Sequence, residues 1–328
     1  MVENILITGG CGFIGRNLIA ALRESGYAIR VLDNLSVGTL QDLQKVAPVE
    51  QPDPVNCSIP SQSRVQLIVG DITDPDLTRR ACANINAVVH LAANTGVGPS
   101  VENPLFDCQQ NVIGTANVLE AARMNGTSRF IFASSGAPAG EVEPPIHEEI
   151  VPKPVSPYGA SKLAGEAYCS AYFRTFGIDT VALRFGNVYG PGSGHKSSLV
   201  AKFFNRALDG LPLEIYGDGT QTRDFIYIGD LVNAVQKALQ VPGVGGEVFQ
   251  IATSSETTVN EIAEKILTVI ESRGIALPEL RFSEPRLGDV MRNYSDTSKA
   301  KSVLAWEAKC EMIQGLENTL DAILQSRH

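Results

Sequence analysis

The first twenty-six residues constrain the fold more strongly than any other stretch of the chain. A short apolar run at 4–8 is followed by glycines at positions 9, 12 and 15, and an amphipathic run at 16–25 ends at Gly26. A strand, a glycine turn and a helix in this order are typical of a dinucleotide-binding unit, because glycines permit a tight turn and close approach of the backbone to a pyrophosphate. The helix N-terminus then faces the anion. The residues predicted to hold the dinucleotide here are Gly9, Gly12, Phe13, Ile14 and Gly15.

The second apolar run, 27–32, ends in an acid followed by an amide, Asp33 and Asn34. A carboxylate at the end of this strand accepts hydrogen bonds from the ribose 2′-hydroxyl and repels a 2′-phosphate. The sequence therefore predicts NAD rather than NADP as the cofactor. The alternative is that the glycines serve only a tight turn.

Polar or small residues end three further predicted strands, at the edge where parallel sheets bind ligands. Asp71 follows one strand, Leu91-Ala92-Ala93 ends the next, and Ser134-Ser135 ends a third. The Asp71 carboxylate either reaches an adenine amino group or caps the following helix. A serine hydroxyl at the third strand either bonds a reacting oxygen or acts as a cap.

One segment interrupts the regular alternation of strand and helix, and one predicted helix contains an unfavourable residue. Residues 37–63 contain four prolines among Gln, Ser and Asp, and this composition predicts an irregular surface excursion without chemistry. The predicted helix at 104–124 contains Asn111, and an asparagine inside a helix is unfavourable unless its amide is hydrogen-bonded.

The segment 156–162 presents a phenol and an ammonium group one helical turn apart, on Tyr158 and Lys162. Residues four apart on a helix are neighbours, so both side chains point the same way. A phenol with a pKa near 10 is a poor base at neutral pH, and a nearby positive charge favours its ionised form. The pair therefore indicates a tyrosine whose pKa is lowered for proton transfer. The alternative is an ordinary surface helix.

Composition excludes several classes of protein. The 328-residue chain has a formal net charge of −9, which argues against a nucleic-acid or anionic-membrane surface. Its six cysteines have no paired spacing and are expected to be reduced thiols, and its four histidines have no metal-ligand spacing. No apolar stretch reaches the length of a membrane span. We expect a cytoplasmic protein without a metal site, a nucleic-acid partner or a membrane partner.

Together the motifs resemble those of the extended short-chain dehydrogenases/reductases, specifically the NAD-dependent nucleotide-sugar epimerase/dehydratase family and, within it, the UDP-glucose 4-epimerase-like enzymes. The motifs run in the family's order through nearly the whole chain: Gly9-x-x-Gly12-x-x-Gly15, Asp33-Asn34, Asp71-Ile72, Leu91-Ala92-Ala93, Asn111, Ser134-Ser135, Tyr158-x-x-x-Lys162, Leu183-Arg-Phe-Gly-Asn187 and Arg223-Asp-Phe-Ile-Tyr227. The resemblance implies that Tyr158 is the catalytic base and acid, that Lys162 lowers its pKa and holds the nicotinamide ribose, and that Ser135 bonds the reacting sugar oxygen. The further NAD-binding residues expected are Ser36, Gly38, Asp71, Ile72, Leu91, Ala92, Ala93 and Asn111.

The residues after the serine separate the activities of this family. The 4,6-dehydratases carry an Asp-Glu pair there and the uronate decarboxylases usually a Glu, whereas Ser135 is followed here by Gly-Ala-Pro-Ala-Gly140. A tyrosine and a hydroxyl suffice to oxidise and reduce one carbinol carbon. The resemblance thus implies an NAD-dependent epimerase that inverts the 4-hydroxyl of a UDP-hexose. The alternatives are a UDP-glucuronate decarboxylase, another NAD-dependent nucleotide-sugar oxidoreductase, or a catalytically silent NAD-sensing or scaffold protein.

The expected architecture is α/β, with a Rossmann-type doubly wound parallel sheet and a smaller α/β substrate lobe. The sheet is assigned to residues 1–186 plus a returning strand near 248–252, and the lobe to 187–328. The resemblance implies that the UDP-sugar is bound by Ser135, Asn187, Ser198, Leu199, Tyr216, Arg223, Arg286, Asp289 and Asn293. It also implies a homodimer in which the helices at 104–124 and 157–175 form a four-helix bundle with a second copy.

Overall fold

An eight-stranded parallel sheet is the largest element of the computed structural model, which describes residues 3–52, 58–194, 198–284 and 290–327. The strands run in the order β3-β4-β2-β1-β5-β6-β7-β12. This is the doubly wound order that the fold class predicts, extended at both edges. The strands are β1 (Asn4–Thr8), β2 (Ala28–Asp33), β3 (Val49–Glu50), β4 (Val65–Val69), β5 (Ala87–His90), β6 (Arg129–Ser135), β7 (Asp179–Phe185) and β12 (Glu247–Ile251).

Helices cover both faces of this sheet. Because successive strand residues point to opposite faces, Ile5 and Ile7 pack on one side with one group of helices, whereas Leu6 packs on the other side with a second group. The first group consists of α1 (Phe13–Glu24) and α9 (Ile228–Gln240). The second consists of α3 (Pro75–Ala81), α6 (Gly114–Met124) and α7 (Pro157–Phe176). The short helices α2 (Leu40–Gln44) and α4 (Val97–Glu102) lie in the connections after β2 and β5.

The predicted helix at 104–124 is one continuous helical run in three parts. It begins as α5 (Pro104–Cys108), passes through a π-helical turn at Gln109–Ile113 and continues as α6. A π-turn inserts an extra residue and often marks a functional site. Asn111, the polar residue whose helix position needed an explanation, lies in this turn.

Helix α7 carries the tyrosine and lysine, and its ends follow the local sequence. The Ser156 hydroxyl accepts a hydrogen bond from the backbone N–H of Gly159, and Pro157 occupies the first helical position. The helix ends at Gly177, which is left-handed with φ of 72°. Its buried face is small and polar rather than apolar, because it consists of Gly159, Ser161, Lys162, Gly165, Glu166 and Cys169.

A second lobe with its own apolar core lies beyond β7. Its elements are β8 (Asn187–Tyr189), α8 (Leu199–Leu208), β9 (Leu213–Tyr216), β10 (Thr222–Arg223), β11 (Phe225–Tyr227), β13 (Thr257–Thr258), α10 (Val259–Ser272), β14 (Leu280–Ser283) and α12 (Met312–Arg327). Helix α11 (Ser298–Leu304) is different, because Ala300, Leu304 and Trp306 pack in the same core as α9 and β1. The core of the large sheet therefore includes residues beyond 186, from α9 and α11 as well as from the returning strand β12.

Within the segment 37–63, residues 37–52 are less irregular than their composition predicts, and residues 53–57 lie outside the described residues. Residues 37–52 contain α2, whose N-cap is the Thr39 hydroxyl, and β3, which pairs in parallel with β4 and extends the sheet by one short edge strand. Among the described residues, no helix is both long and apolar enough to cross a membrane.

Candidate active site

A cleft of about 620 Å³ lies at the C-terminal ends of the parallel strands, between the large sheet and the second lobe. Nineteen of the residues predicted as site residues line it. Three come from the second lobe: Asn187, Ser198 and Leu199. The others come from the large sheet and its helices: Gly9, Gly12, Phe13, Ile14, Gly15, Asp33, Asn34, Ser36, Gly38, Ile72, Leu91, Ala92, Ala93, Ser135, Tyr158 and Lys162.

The glycine turn is built for close approach. Gly9 is left-handed with φ of +70°, and a Cβ there would lie 2.8 Å from the backbone nitrogen of Ala92. A Cβ on Gly15 would lie 2.6 Å from Gly10. Gly12 differs, because only the Gly9 carbonyl oxygen lies near its would-be Cβ, at 3.3 Å. As the N-cap of α1 it offers no side-chain acceptor, so the first N–H groups of the helix remain available to an anion.

Two carboxylates follow strands β2 and β4 on the cofactor side of the cleft. The Asp33 side chain accepts hydrogen bonds from the backbone N–H groups of Cys11 and Leu35, at 2.8 Å each, which fixes its orientation toward the glycine turn. Burial raises the pKa of Asp33, and these hydrogen bonds oppose the rise. Asp71 lies behind the lining residues and accepts from Asn34 Nδ2 at 2.9 Å and from Thr73.

The helix-cap alternative for Asp71 is wrong. The N-cap of α3 is Asp74, whose carboxylate accepts from the N–H groups of residues 76 and 77. Asp71 instead closes a turn onto Thr73 before the helix begins. Hydrogen bonds to its carboxylate, with that of the Thr73 N–H first among them, outweigh the desolvation that opposes them and hold the pKa of Asp71 below its usual range.

Asn111 lies behind the cleft rather than in its wall. Its Oδ1 accepts from the Asn94 N–H at 2.8 Å, and its Nδ2 donates to the Asn94 carbonyl at 2.9 Å. The same Nδ2 also lies within hydrogen-bond distance of Asp107 Oδ1, at 3.0 Å, and of Ser161 Oγ, at 3.1 Å. These contacts satisfy the buried amide, so direct contact between Asn111 and the cofactor stays a prediction.

Ser135, Tyr158 and Lys162 converge on the cleft from β6 and α7. Hydrogen bonding by Ser135 lowers the pKa of the Tyr158 hydroxyl, and the Lys162 ammonium donates to the Ala133 carbonyl at 2.8 Å. Lys162 Nζ lies 5.9 Å from the centre of the Tyr158 ring and 5.0 Å from that of Phe132. One strand end and one helical turn thus bring together a hydroxyl, a phenol and an ammonium group.

Burial dominates the pKa of Tyr158 in the chain by itself, and the role of Lys162 in lowering that pKa stays a prediction. Burial raises the pKa of Tyr158 to about 12, and the opposing influence is the hydrogen bond with Ser135. Burial also lowers the pKa of Lys162 to about 8, because it removes water from the ammonium group. Burial therefore favours the neutral form of both Tyr158 and Lys162, which is its usual effect on ionisable groups.

A buried ion pair supports the strand end that carries Ser135. Glu166, one turn beyond Lys162 on α7, accepts two hydrogen bonds of 2.8 Å from the guanidinium group of Arg184 on β7. The Ser134 hydroxyl donates to the same carboxylate at 2.5 Å. With the bond from Lys162 to the Ala133 carbonyl, two consecutive residues before Ser135 are tied to α7.

The predicted substrate residues of the second lobe are not all in the cleft wall. Asn187, Ser198 and Leu199 line it, and the Ser198 hydroxyl is buried without a hydrogen-bond partner among the described residues. Asn293 Oδ1 lies 3.9 Å from the position of a Cβ on Gly136, so it is close to the segment after Ser135. Arg223 donates to the carbonyls of Thr222 and Val290. Arg286 and Asp289 lie outside the described residues.

Tyr216 has a local environment that its predicted role did not anticipate. Its hydroxyl donates to Glu214 at 2.8 Å, and the Lys202 ammonium lies 5.0 Å from the centre of its ring. One face of the ring is therefore covered by a cation, and a base that stacks on Tyr216 would have to use the other face.

The cleft also contains residues that the sequence motifs did not reveal. Asn94, Thr95, Phe106 and Gln110 line it beside the cofactor-side residues, and Tyr189 and Phe225 line it on the side of the second lobe. Gln110 lies in the π-turn, and its side-chain amide donates to the Asp71 carboxylate at 3.4 Å. The one available signal was Asn111 itself, whose unfavourable position in a helix marked this turn.

Comparison with known proteins identifies the family of this chain. The model of the NAD dependent epimerase/dehydratase family matches residues 5–252. The chain belongs to that family. Within the family, it is 33% identical over 321 residues to the UDP-glucose 4-epimerase of Mycolicibacterium smegmatis, covering 96% of this chain and 97% of that protein.

Two solved structures of the family have the same fold. The UDP-glucose 4-epimerase of Thermotoga maritima, solved with UDP-glucose, superposes with a TM-score of 0.88 at 33% identity and covers 99% of this chain and 100% of that one. The UDP-glucose 4-epimerase of Thermus thermophilus, solved in complex with NAD, gives 0.84 at 34% identity and covers 98% of this chain and 99% of that one. The prediction of a Rossmann-type member of this family is confirmed.

Proposed function

We propose that the protein is an NAD-dependent epimerase that inverts the 4-hydroxyl of a UDP-hexose by transient oxidation to the 4-keto sugar and re-reduction. The observation that carries the proposal is the convergence of Ser135, Tyr158 and Lys162 on one cleft beside the glycine turn. No carboxylate follows Ser135 until Glu141, so the groups at hand suit oxidation and reduction of a single carbon. The M. smegmatis and T. maritima relatives carry the name UDP-glucose 4-epimerase.

The cofactor side of the cleft fits NAD. The open Gly12 and the uncapped N-terminus of α1 suit its pyrophosphate, and Asp33 suits a ribose diol while disfavouring a 2′-phosphate. Ser36, Gly38, Ile72, and Leu91 to Ala93 would form the walls around the dinucleotide. The chemistry that NAD supplies when bound is reversible acceptance of a hydride, and its oxidised ring adds a positive charge to the site.

The chain's own groups move and hold the proton. Tyr158 takes the proton of the sugar 4-hydroxyl and returns it, with Ser135 bonded to the same oxygen. Because burial raises the pKa of Tyr158 to about 12, the phenolate depends on positive charge beside it. Lys162 supplies part of that charge and the rest arrives with the cofactor. Lys162 also has donors left for a ribose hydroxyl, since among the described residues its ammonium group donates one hydrogen bond, to the Ala133 carbonyl.

The substrate nucleotide would lie against the second lobe. Asn187, Leu199 and the unpartnered Ser198 hydroxyl suit a diphosphate at the N-terminus of α8. We assign Arg223, Arg286 and Asp289 to the same end of the substrate, Tyr216 to the base, and Asn293 to the sugar. An arginine fork matches phosphate oxygens well.

Substitution of the tyrosine tests the mechanism. Tyr158→Phe removes only the phenolic oxygen, so the variant should bind NAD as tightly as the wild type. It should lose roughly 10²- to 10⁴-fold in turnover, the range typical of a lost general base. Turnover is measured as interconversion of UDP-glucose and UDP-galactose, separated chromatographically, and NAD binding by titration calorimetry. Near-wild-type turnover in Tyr158→Phe would contradict the assignment.

A substrate panel tests the activity itself. Incubation with UDP-glucose, UDP-N-acetylglucosamine and UDP-glucuronate should give the C4 epimer of one of them, without net NADH. Carbon dioxide release from UDP-glucuronate would instead identify a decarboxylase, and accumulated NADH an oxidoreductase that releases its cofactor. Binding of NAD without any product would identify a silent NAD-binding protein.

We propose further that the protein is a cytoplasmic homodimer. The expected dimer face consists of the helical run α5–α6 and helix α7, and the aromatic row Tyr168, Tyr172 and Phe176 lies along α7 at four-residue spacing. Tyr168 and Phe176 are 42% and 50% exposed in the single chain. A cytoplasmic location rests on the cysteine pattern alone.

A further inference from the structure

Asp107 is a fully buried carboxylate on a helix whose neighbouring apolar side chains face outward. Its side chain is 0% exposed, whereas Leu105 is 83% and Phe106 is 46% exposed. Charged side chains are seldom buried completely unless they are paired, because the loss of water around a charge is costly. The burial of Asp107 therefore requires a compensating interaction.

Hydrogen bonds satisfy only one of its two oxygens. Oδ1 accepts from Asn111 Nδ2 at 3.0 Å and from Asn94 Nδ2 at 3.3 Å. Oδ2 is buried and has no hydrogen-bond partner among the described residues. Both partners of Oδ1 are neutral amides, so within hydrogen-bond distance nothing described offsets the negative charge.

The same polar cluster touches the catalytic helix. Asn111 Nδ2 lies 3.1 Å from Ser161 Oγ, and Ser161 Oγ donates to the Tyr158 carbonyl at 3.0 Å. Ser161 directly precedes Lys162 in α7, and α5 packs against α7. Asp107 is thus two hydrogen bonds away from the turn that presents the phenol and the ammonium group.

Glu166, the other buried carboxylate near Lys162, is not an equivalent counter-charge. Its two oxygens are bound by the Arg184 guanidinium, so the pair as a whole is close to neutral. Asp107 lacks such a cation. Of the two buried acids, Asp107 has the stronger electrostatic influence on Lys162.

We propose that Asp107 is a positioning residue of the epimerase: it is the buried counter-charge that keeps the Lys162 ammonium protonated, and through Asn111 and Ser161 it seats the turn that carries Tyr158. The inference rests on the proposed function, because it assigns Asp107 a role in that reaction. The electrostatic influences on Lys162 support the proposal. Burial lowers the pKa of Lys162 to about 8, and the charge of Asp107 is the largest influence that opposes this fall.

The other groups that face Lys162 do not supply this counter-charge. Phe132 presents a ring face and Ala133 a carbonyl from β6, while His90 on β5 is neutral because burial lowers its pKa to about 3. On α7 itself, Cys169 is a neutral thiol because burial raises its pKa well above the usual range. The groups that can carry charge beside Lys162 are Tyr158, Glu166 with Arg184, and Asp107.

Asp107→Asn tests the proposal because it removes the charge and keeps the shape. Loss of a nearby negative charge lowers the pKa of Lys162 and also that of Tyr158, whose pKa Asp107 raises. The pH profile of kcat/KM has an acidic and a basic limb, each governed by one of these two groups. Both limbs should therefore move to lower pH in Asp107→Asn, by roughly half to one pH unit. A second readout without turnover is the ultraviolet phenolate absorbance of Tyr158, taken as the difference from Tyr158→Phe, which should appear at lower pH in Asp107→Asn.

Two further variants separate charge from structure. Asp107→Glu restores the charge, so its limbs should return toward the wild-type pH even where its kcat stays low. Asp224→Asn is the matched control, since Asp224 is another buried acid, bonded to Thr253 and Ser254 in the second lobe, and its limbs should stay in place. If Asp107→Asn does not fold, Asp107→Ser removes the same charge from a smaller side chain.

The outcomes distinguish this inference from the proposed function. Wild-type turnover of a UDP-hexose with unmoved limbs in Asp107→Asn would overturn the role of Asp107 and leave the epimerase intact. A wild type that turns over no UDP-sugar would overturn the function first. In that case the phenolate titration still decides whether Asp107 acts on Tyr158.

Discussion

At the scale of single residues, Asp33 is the side chain that we propose selects NAD over NADP. Its carboxylate is held toward the glycine turn by two backbone N–H groups and remains negative above its raised pKa. Asp33→Asn should keep much of the geometry while removing the repulsion of a 2′-phosphate. We expect the ratio of the dissociation constants for NADP and NAD to fall by roughly ten- to a hundredfold, from one unit charge at a few ångströms.

Titration calorimetry with both dinucleotides measures that ratio. Asp76→Asn is a suitable control, because Asp76 is an exposed acid in the first turn of α3 and should leave the ratio unchanged. An unaltered preference in Asp33→Asn would mean that the carboxylate does not face the ribose.

Residues joined by a fixed local spacing could be predicted from the sequence, and residues joined only through packing could not. Tyr158 and Lys162 are four apart on a helix, so their common direction follows from helix geometry. Asp107 follows two apolar residues, and nothing in that stretch indicates that the acid faces inward and Leu105 outward. The raised pKa of Tyr158 could not be predicted for the same reason, since it comes from burial and burial is a property of the fold.

At the scale of elements, α7 must lie close to β6 for its lysine to reach the strand. Gly165 makes this possible, because a Cβ there would lie 2.7 Å from Phe132 Cε1. Gly165→Ala should therefore destabilise the fold by about 1–3 kcal/mol through overpacking. It should also lower kcat, because the Phe132 ring lies beneath the Lys162 ammonium.

Urea unfolding and steady-state kinetics check both effects. Gly98→Ala provides the comparison, since Gly98 also lies in a helix but has no atom within 4 Å of its would-be Cβ, and alanine there should be neutral or slightly stabilising. Equal stability of Gly165→Ala and the wild type would show that α7 can move away from β6 without cost.

Most elements could be predicted because their signals are local. Strands β1, β2 and β4 follow apolar runs that end at glycine or acid, and α7 begins at a serine followed by proline. The π-turn at Gln109–Ile113 could not be predicted, since it has the same residue preferences as the helix around it. Strand β3 was missed because two residues gain their extended form from pairing with β4, which is a tertiary contact.

At the scale of the whole molecule, the two lobes are interleaved along the chain. Helix α9, strand β12 and the segment around Trp306 return to the large sheet, so each lobe's core is completed by residues distant in sequence. Such returns cannot be predicted from motif order, because an amphipathic helix has the same pattern whichever core it covers. The cleft lies between the lobes, and both must be in place for Asn187 and Tyr158 to line the same cleft.

The outer surface of α7 determines the expected assembly. Tyr172 donates to Glu120, and the Arg123 guanidinium lies 5.0 Å from the centre of the Phe176 ring, so the aromatic row and α6 form one continuous face. Exposed aromatic residues beside one another are typical of an interface core.

The double variant Tyr168→Glu, Phe176→Glu would bury two charges in this interface and should convert a dimer to a monomer, which would halve the mass measured by light scattering. Phe282→Glu is the matched control, because Phe282 is 60% exposed on β14 in the other lobe and should leave the mass unchanged. A wild type that is monomeric, or a double variant that remains dimeric, would mean that this aromatic face does not hold two copies together.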